Sequence, residues 1–379
     1  MMRRYVISML TLMLMALAGC TSDEPPVPQQ PARRTIVVYM IATNSLGTNG
    51  RDRQDLDEMD KAVKEGALNG CRLLVYRVGK DNSMPELLEI KQDKRGNAVH
   101  ETLVNYDNAQ GASVTPERMR QVIDDVKNVA PASEYGLVLW SHGTGWARSI
   151  TTKSGMGLKD YGEDNGATMT LTELAQGLPT QTFEWIYADV CYMGCVEVAY
   201  ELRKHCHYFV GYPTEIPAPG MPYDITLPLL CQPTAQLADA CRATYNYYNA
   251  MTDQNRTFSG VVVDCNSLDE LATTCRAIQH SAVTLESLSG MQYYNINSSH
   301  FFYDFLQYYR AICPPHMQEQ LTTIYNKVVI DKMATATIFN RILIDPSKFS
   351  GLSTYIMGTS PGINEQYYHQ LAWYKDVID

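Results

Sequence analysis

The chain has no block of basic residues, no internal repeat, and no cysteine and histidine spacing that matches a common zinc site. Its formal net charge is −10 at pH 7. A phosphate-binding surface needs clustered Lys and Arg, so nucleic acid is not an expected partner. An acidic balance suits basic substrates instead. The apolar stretch near the N-terminus, about Tyr5 to Leu17, is short for a membrane span. What remains is ordinary globular composition. The 379 residues are 45% hydrophobic and 19% charged, enough for one large domain or two modest ones.

The N-terminus reads as an export signal. Arg3 and Arg4 precede the apolar stretch, which ends in Leu17-Ala18-Gly19-Cys20. Small residues directly before a cysteine are the pattern of the bacterial lipobox. Residues 1–19 are therefore expected to be a removed signal peptide, with lipid carried on Cys20. The segment 20–34 is Pro-rich and polar and reads as a tether. The expected location is that of an exported bacterial lipoprotein, at the outer membrane or cell surface and anchored through its lipid.

Nine cysteines follow Cys20, an odd number that leaves at least one thiol free in any full pairing. Several lie in apolar runs and read as small buried side chains. The chain then alternates strand and helix signals. Apolar β-rich runs occur at 35–43, 71–79, 135–141, 184–190, 208–213 and 257–265. A hairpin is expected near 85–104, turning at Arg95-Gly96-Asn97. Between them lie helical spacings, one with Thr115 as cap and Pro116 at its first position. This order predicts an α/β fold with a mainly parallel sheet over 35–265. Beyond 265 the pattern turns to Tyr-dense helices, with one further strand signal at "FSGLSTYIMG". The segment 266–379 is read as a mostly helical subdomain packed on the sheet.

In parallel sheets, function gathers at the carboxyl ends of strands. One strand ends in "WSHGTGW", placing His142 just past its apolar run. The next ends in "YADVCYMGC", placing Cys191 at a strand-to-helix junction. A thiol at a helix N-terminus is biased toward thiolate. An imidazole beside it accepts the proton and later protonates a leaving amine. Gly143 removes a side chain next to His142, so backbone N–H groups can approach a reacting carbonyl oxygen. Asp189, two residues before Cys191, points to the same side of an extended chain.

"LVLWSHGTGW" followed by "DVCYMGCVEVAYEL" resembles the clostripain family of cysteine peptidases, which groups with caspases, legumain and gingipains. "TIVVYMIATNSLG" resembles the family's opening strand, where an acidic residue usually stands near Asn44. "YFVGYPTEIPAPGMPYD" and the C-terminal "FSGLSTYI" and "QYYHQLAWYKDVID" extend the likeness over most of 35–379. The resemblance implies a caspase-like three-layer α/β/α core and endopeptidase activity. It implies Cys191 as nucleophile, His142 as general acid/base, and the N–H groups of Gly143 and Cys191 as oxyanion hole. Asp189 would sit at the base of a pocket selecting Arg or Lys, with Glu215 or Asp224 as a second acidic wall. A desolvated carboxylate discriminates strongly for a basic side chain. Cys195 stands where the family usually has a small Ser and, at helical spacing with Val198, Ala199 and Leu202, faces the core.

Other patterns are set aside. A zinc site from Cys191, Cys195, Cys206 and His205 or His207 has the wrong spacing. "GTSPG" fits a serine-hydrolase pattern, but Pro361 has no N–H to offer an oxyanion. "DYGEDNG" lacks an oxygen ligand at its third position, and Leu171 stands where a calcium loop would close with Glu. Calcium, on which clostripain itself depends, finds no support in the sequence, and no cofactor or metal is expected. Asp124-Asp125 reads as a solvated helix face. Family members often mature by cleavage after a basic residue in the loop following His-Gly. Lys153 and Lys159 are the expected positions here, ahead of Arg148, which lies close to His142. The expected partners are proteins or peptides with basic residues, acted on by a monomer. The rival reading is a catalytically silent surface lipoprotein that uses the fold for binding.

Overall fold

Alternate residues of a strand point to opposite faces, and here both faces are buried. In β1 (Ala32–Ala42), Ile36, Val38 and Met40 enter one core while Val37, Tyr39 and Ile41 enter another. Such a strand belongs in the middle of a sheet covered on both sides. The computed structural model describes residues 31–80, 84–148, 160–296 and 300–379. Residues Ala32–Asp379 form one unit.

The main sheet adds β2 (Cys71–Gly79), β3 (Glu86–Gln92), β4 (Ala98–Asn105), β5 (Ala132–Trp140), β6 (Phe183–Asp189), β7 (Cys206–Gly211), β8 (Ser259–Asp264) and β9 (Val329–Ala334). Its order is β9-β8-β7-β6-β5-β1-β2-β3-β4. The five central strands, β7, β6, β5, β1 and β2, run parallel, and both flanks are antiparallel. The β3–β4 hairpin turns at Gly96, whose φ of +83° suits glycine.

One face is covered by α1 (Arg51–Lys64), α5 (Tyr223–Leu230) and α6 (Leu237–Asn249). The other face is covered by α2 (Pro116–Val129), α3 (Leu171–Gly177), α4 (Val196–Leu202), α7 (Leu268–His280), α8 (Phe305–Ile312) and α9 (Gln318–Val328). The caps follow local chemistry. Thr115 accepts from the Arg118 N–H with Pro116 behind it, and Thr170 with Glu173 forms a reciprocal capping box on α3. The chain beyond 265 also completes the sheet, because β9 pairs antiparallel with β8. "FSGLSTYIMG" contributes only a two-residue strand, Ser353–Thr354, paired with Tyr303–Asp304.

Candidate active site

β5 and β6 are parallel neighbours, and Trp140 lies opposite Asp189 in their register. Two residues beyond each strand end stand His142 and Cys191. Pairing therefore carries both side chains to one point above the sheet. Both line a cleft of about 200 Å³ with Trp140, Asp189, Glu215 and the 216–220 loop.

The turn after His142 is tied down. The His142 carbonyl accepts from the Gly162 N–H, and the Thr144 N–H donates to the Asp160 carbonyl. A Cβ on Gly143 would come within 2.4 Å of Val190 Cγ1 and 3.6 Å of the Cys191 carbonyl oxygen, so glycine permits this approach. The His142 ring is held from the side: its Nε2 lies 2.7 Å from Ser45 Oγ. Ser45 follows Asn44, whose side chain caps the short helix Ser45–Thr48 and donates to the Ile41 and Glu163 carbonyls.

Cys191 precedes a strained residue. Tyr192 has φ +60°, its N–H donates to the Thr214 carbonyl, and its ring stacks on Phe302. Gly194 lets the following turn pass the Tyr212–Pro213 backbone, which a Cβ would meet at 2.5 Å. Helix α4 begins only at Val196. Cys191 is thus not at a helix N-terminus, and the dipole, which fades within one turn, does not bias it toward thiolate. Burial instead pushes its thiol up to about 12; an N–H from Ile216 opposes this, and Glu215 and Asp189 reinforce it. Cys195 is fully buried in the core as expected, although it caps the helix in extended backbone rather than sharing its helical spacing.

Asp189 is buried, and both of its oxygens accept from the Met221 N–H at 3.0 Å. Tyr223 donates its hydroxyl from 3.3 Å. Gly220, at φ +68°, sits so close that a Cβ there would lie 2.7 Å from the carboxylate. Burial pushes the Asp189 carboxyl up to about 7, against the Met221 N–H, with Glu58 adding to the rise. Behind it lies a second carboxylate that the sequence reading did not find. Asp55 on α1 is fully buried and accepts from Trp140 Nε1 at 2.6 Å. Burial and the Asp189 charge raise its carboxyl far above the usual range, and its Oδ1 has no hydrogen-bond partner. The signal was present: Asp52 and Asp55 share the buried helical face of Leu56, Met59 and Val63. Charges at core spacing mark a polar site under a helix.

Of the two expected acidic walls, Glu215 lines the cleft and Asp224 does not; Asp224 is paired with Lys61 at 2.7 Å. Arg148 is engaged: its Nε lies 2.9 Å from Asp160 Oδ2, its guanidinium lies over Tyr367, and its carbonyl accepts from the Asn364 N–H. Lys153, Lys159 and Cys20 lie outside the described residues, as does the signal segment. In the "DYGEDNG" stretch, Asp164 accepts from the Thr43 hydroxyl and the Ser113 N–H. Among the described residues there is no cluster of three or more His, Cys, Asp or Glu arranged to hold a metal ion, and no helix long and apolar enough to cross a membrane.

A three-layer α/β/α fold with a thiol and an imidazole at adjacent parallel strand ends is the plan of a caspase-like cysteine peptidase. The clostripain family of peptidases matches residues 38–377, and the chain belongs to that family. It is similar to an inactive zymogen C11 protease from Parabacteroides distasonis, at 30% identity and TM-score 0.79 over 93% of this chain and 99% of that one. It is also similar to a secreted C11 cysteine protease from Bacteroides thetaiotaomicron, at 25% identity and TM-score 0.80 over 92% and 99% of the two chains. A structure of a secreted C11 cysteine protease from the same organism in complex with an irreversible peptide inhibitor matches at 28% identity and TM-score 0.77, over 91% and 98%. A search among curated protein sequences finds no match.

Proposed function

We propose that this cysteine peptidase is an endopeptidase that cleaves after Arg or Lys with a Cys191–His142 dyad. The carrying observation is the convergence of Cys191, His142 and the buried Asp189 on one cleft. The Cys191 sulfur attacks the scissile carbonyl carbon as its proton passes to His142. The N–H groups of Gly143 and Cys191 receive the oxyanion. Collapse of the adduct breaks the C–N bond, and His142 returns the proton to the leaving amine. Water then hydrolyses the thioester.

A basic side chain beside Asp189 neutralises one of the two charges that add to the burial-driven rise of the thiol, so a correct substrate helps to activate its own nucleophile. Without substrate, burial keeps the thiol raised and Asp189 accepts from the Met221 N–H. Self-cleavage in the 147–168 loop after Lys153 or Lys159 is the proposed maturation step; Arg148 is disfavoured because Asp160 and Tyr367 hold its side chain. The Cys20 lipid anchor and surface location belong to the same proposal, with a monomer acting on basic peptides.

Fluorogenic peptides bearing Arg, Lys, Asn, Asp or Leu before the scissile bond test the reading, with Cys191→Ala run beside wild type. Cleavage after Arg or Lys, lost in the variant, is expected. Turnover of Asn or Leu peptides instead would refute the assignment of Asp189. Inactivity on all five, before and after loop cleavage, would favour the silent binding protein.

A further inference from the structure

The nine cysteines from Cys71 to Cys313 are free thiols, yet two pairs of them meet. Cys206 opens β7, and Cys265 follows β8, the antiparallel neighbour in which Asp264 lies opposite Tyr208. Their sulfurs are 3.7 Å apart, and the two residues are 3% and 4% exposed. Cys71 opens β2 and faces Cys231, the C-cap of α5. The Cys71 sulfur lies 3.7 Å from the Cys231 carbonyl oxygen, which puts the two cysteines side by side. Arg33 clamps this pair, donating to the Cys71 sulfur at 3.4 Å and to the Cys231 carbonyl at 2.7 Å.

We propose that Cys206–Cys265 and Cys71–Cys231 are disulfide-forming pairs that cross-link the finished fold. A disulfide needs its sulfurs to close to about 2.05 Å without moving the backbone far. The Cys206 and Cys265 sulfurs, already in contact, reach that by torsion, and the Cys71 sulfur, which touches the Cys231 backbone, does so by rotation of the two side chains. Each link forms by breaking two S–H bonds and making one S–S bond. The two protons and two electrons pass to a disulfide oxidant such as glutathione disulfide, which leaves as two thiols. Cys71 is the attacking sulfur of its pair. The Cys231 thiol, with the charges of Arg33 and Arg34, brings its thiol down to about 7. A thiol near ambient pH is the best placed to attack. The Cys206–Cys265 link, being buried, forms as the chain folds.

The Cys71–Cys231 link has a consequence for the cleft. It fastens the end of α5 to the sheet, and the start of that helix supplies Tyr223, which holds Asp189 with Met221. Neither pair includes Cys191, so forming both links does not consume the proposed nucleophile.

The test folds the full-length protein in a buffer of glutathione and glutathione disulfide, alkylates free thiols, and maps the digested peptides by mass spectrometry without reduction. Expected are linked peptides joining 206 to 265 and 71 to 231, with Cys191 alkylated. Reduction should then lower the thermal midpoint by roughly 4 °C per link. In Cys206→Ala/Cys265→Ala, one linked peptide and one share of that shift disappear. Alkylation of all four cysteines, or their linkage to other partners, overturns the proposal; one pair found free overturns it for that pair. Because the map is read on the unmutated protein, a variant that fails to fold leaves the result decisive.

Discussion

Asp189 faces two opposed demands. The specificity proposed for it calls for a dry pocket, and burial raises its carboxyl to about 7, so at neutral pH it is ionised only in part. The proposed specificity therefore has a pH signature. The ionised form fills as pH rises, so kcat/KM for arginyl peptides should climb through about 7 while substrate-free Asp189 titrates. Asp189→Asn should remove that limb and lower kcat/KM on the order of 100-fold or more, as loss of a buried charge partner does. A rise unchanged in the variant would assign the limb to another group. Ser45 is the second residue-scale case. Its hydroxyl lies 2.7 Å from His142 Nε2. As a positioning residue it should affect kcat and spare KM: Ser45→Ala is expected to cost about tenfold in kcat, with Ser45→Thr restoring it. Equal losses in kcat and KM would deny that role.

At the scale of elements, the strands that carry the site were readable because each is a short apolar run bounded by turn signals, and the Thr115-Pro116 cap is pure local chemistry. The placement of His142 and Cys191 at neighbouring strand ends followed from α/β topology. Three features were not readable. β9 (Val329–Ala334) is an edge strand with Lys332 and Asp331 in it, so its apolar alternation is broken. Helix α5 carries Pro228 inside it, which interrupts the helical signal. The delayed start of α4 is a matter of the 191–194 turn, which tertiary bonds to Tyr212 and Thr214 shape. The partners of Asp189 come from α1 and the 220–223 segment, far away in sequence, and only folding brings them together. Packing between β5 and β6 makes its own prediction. A Cβ on Gly136 would lie 2.2 Å from the Trp185 ring. Gly136→Ala should cost about 1–3 kcal/mol, read as a lower urea midpoint at unchanged slope. An unchanged midpoint would mean that the ring has room to move.

The whole molecule buries several carboxylates that burial raises: Asp189 and Glu197 to about 7, and Asp160 to about 8. Each binds its proton more tightly folded than unfolded. Their contribution to stability is complete below the unfolded value near 4 and is lost as pH climbs through about 7 to 8. The loss is at most about 1.4 kcal/mol per pH unit for each group within that window. The thermal midpoint should therefore be higher at mildly acid pH than at pH 8, and a midpoint that rises steadily toward pH 8 would contradict the burial of these groups. The central claim joins all scales: one cleft, one thiol and one buried carboxylate act together on basic peptides. The most direct measurement treats the chain, intact and nicked in the 147–168 loop, with a peptide ending in an arginyl electrophile, and locates the adduct by mass spectrometry. The account predicts covalent attachment to Cys191 that Asp189→Asn suppresses. An unlabelled Cys191 in both forms, or an adduct on another cysteine, would contradict it.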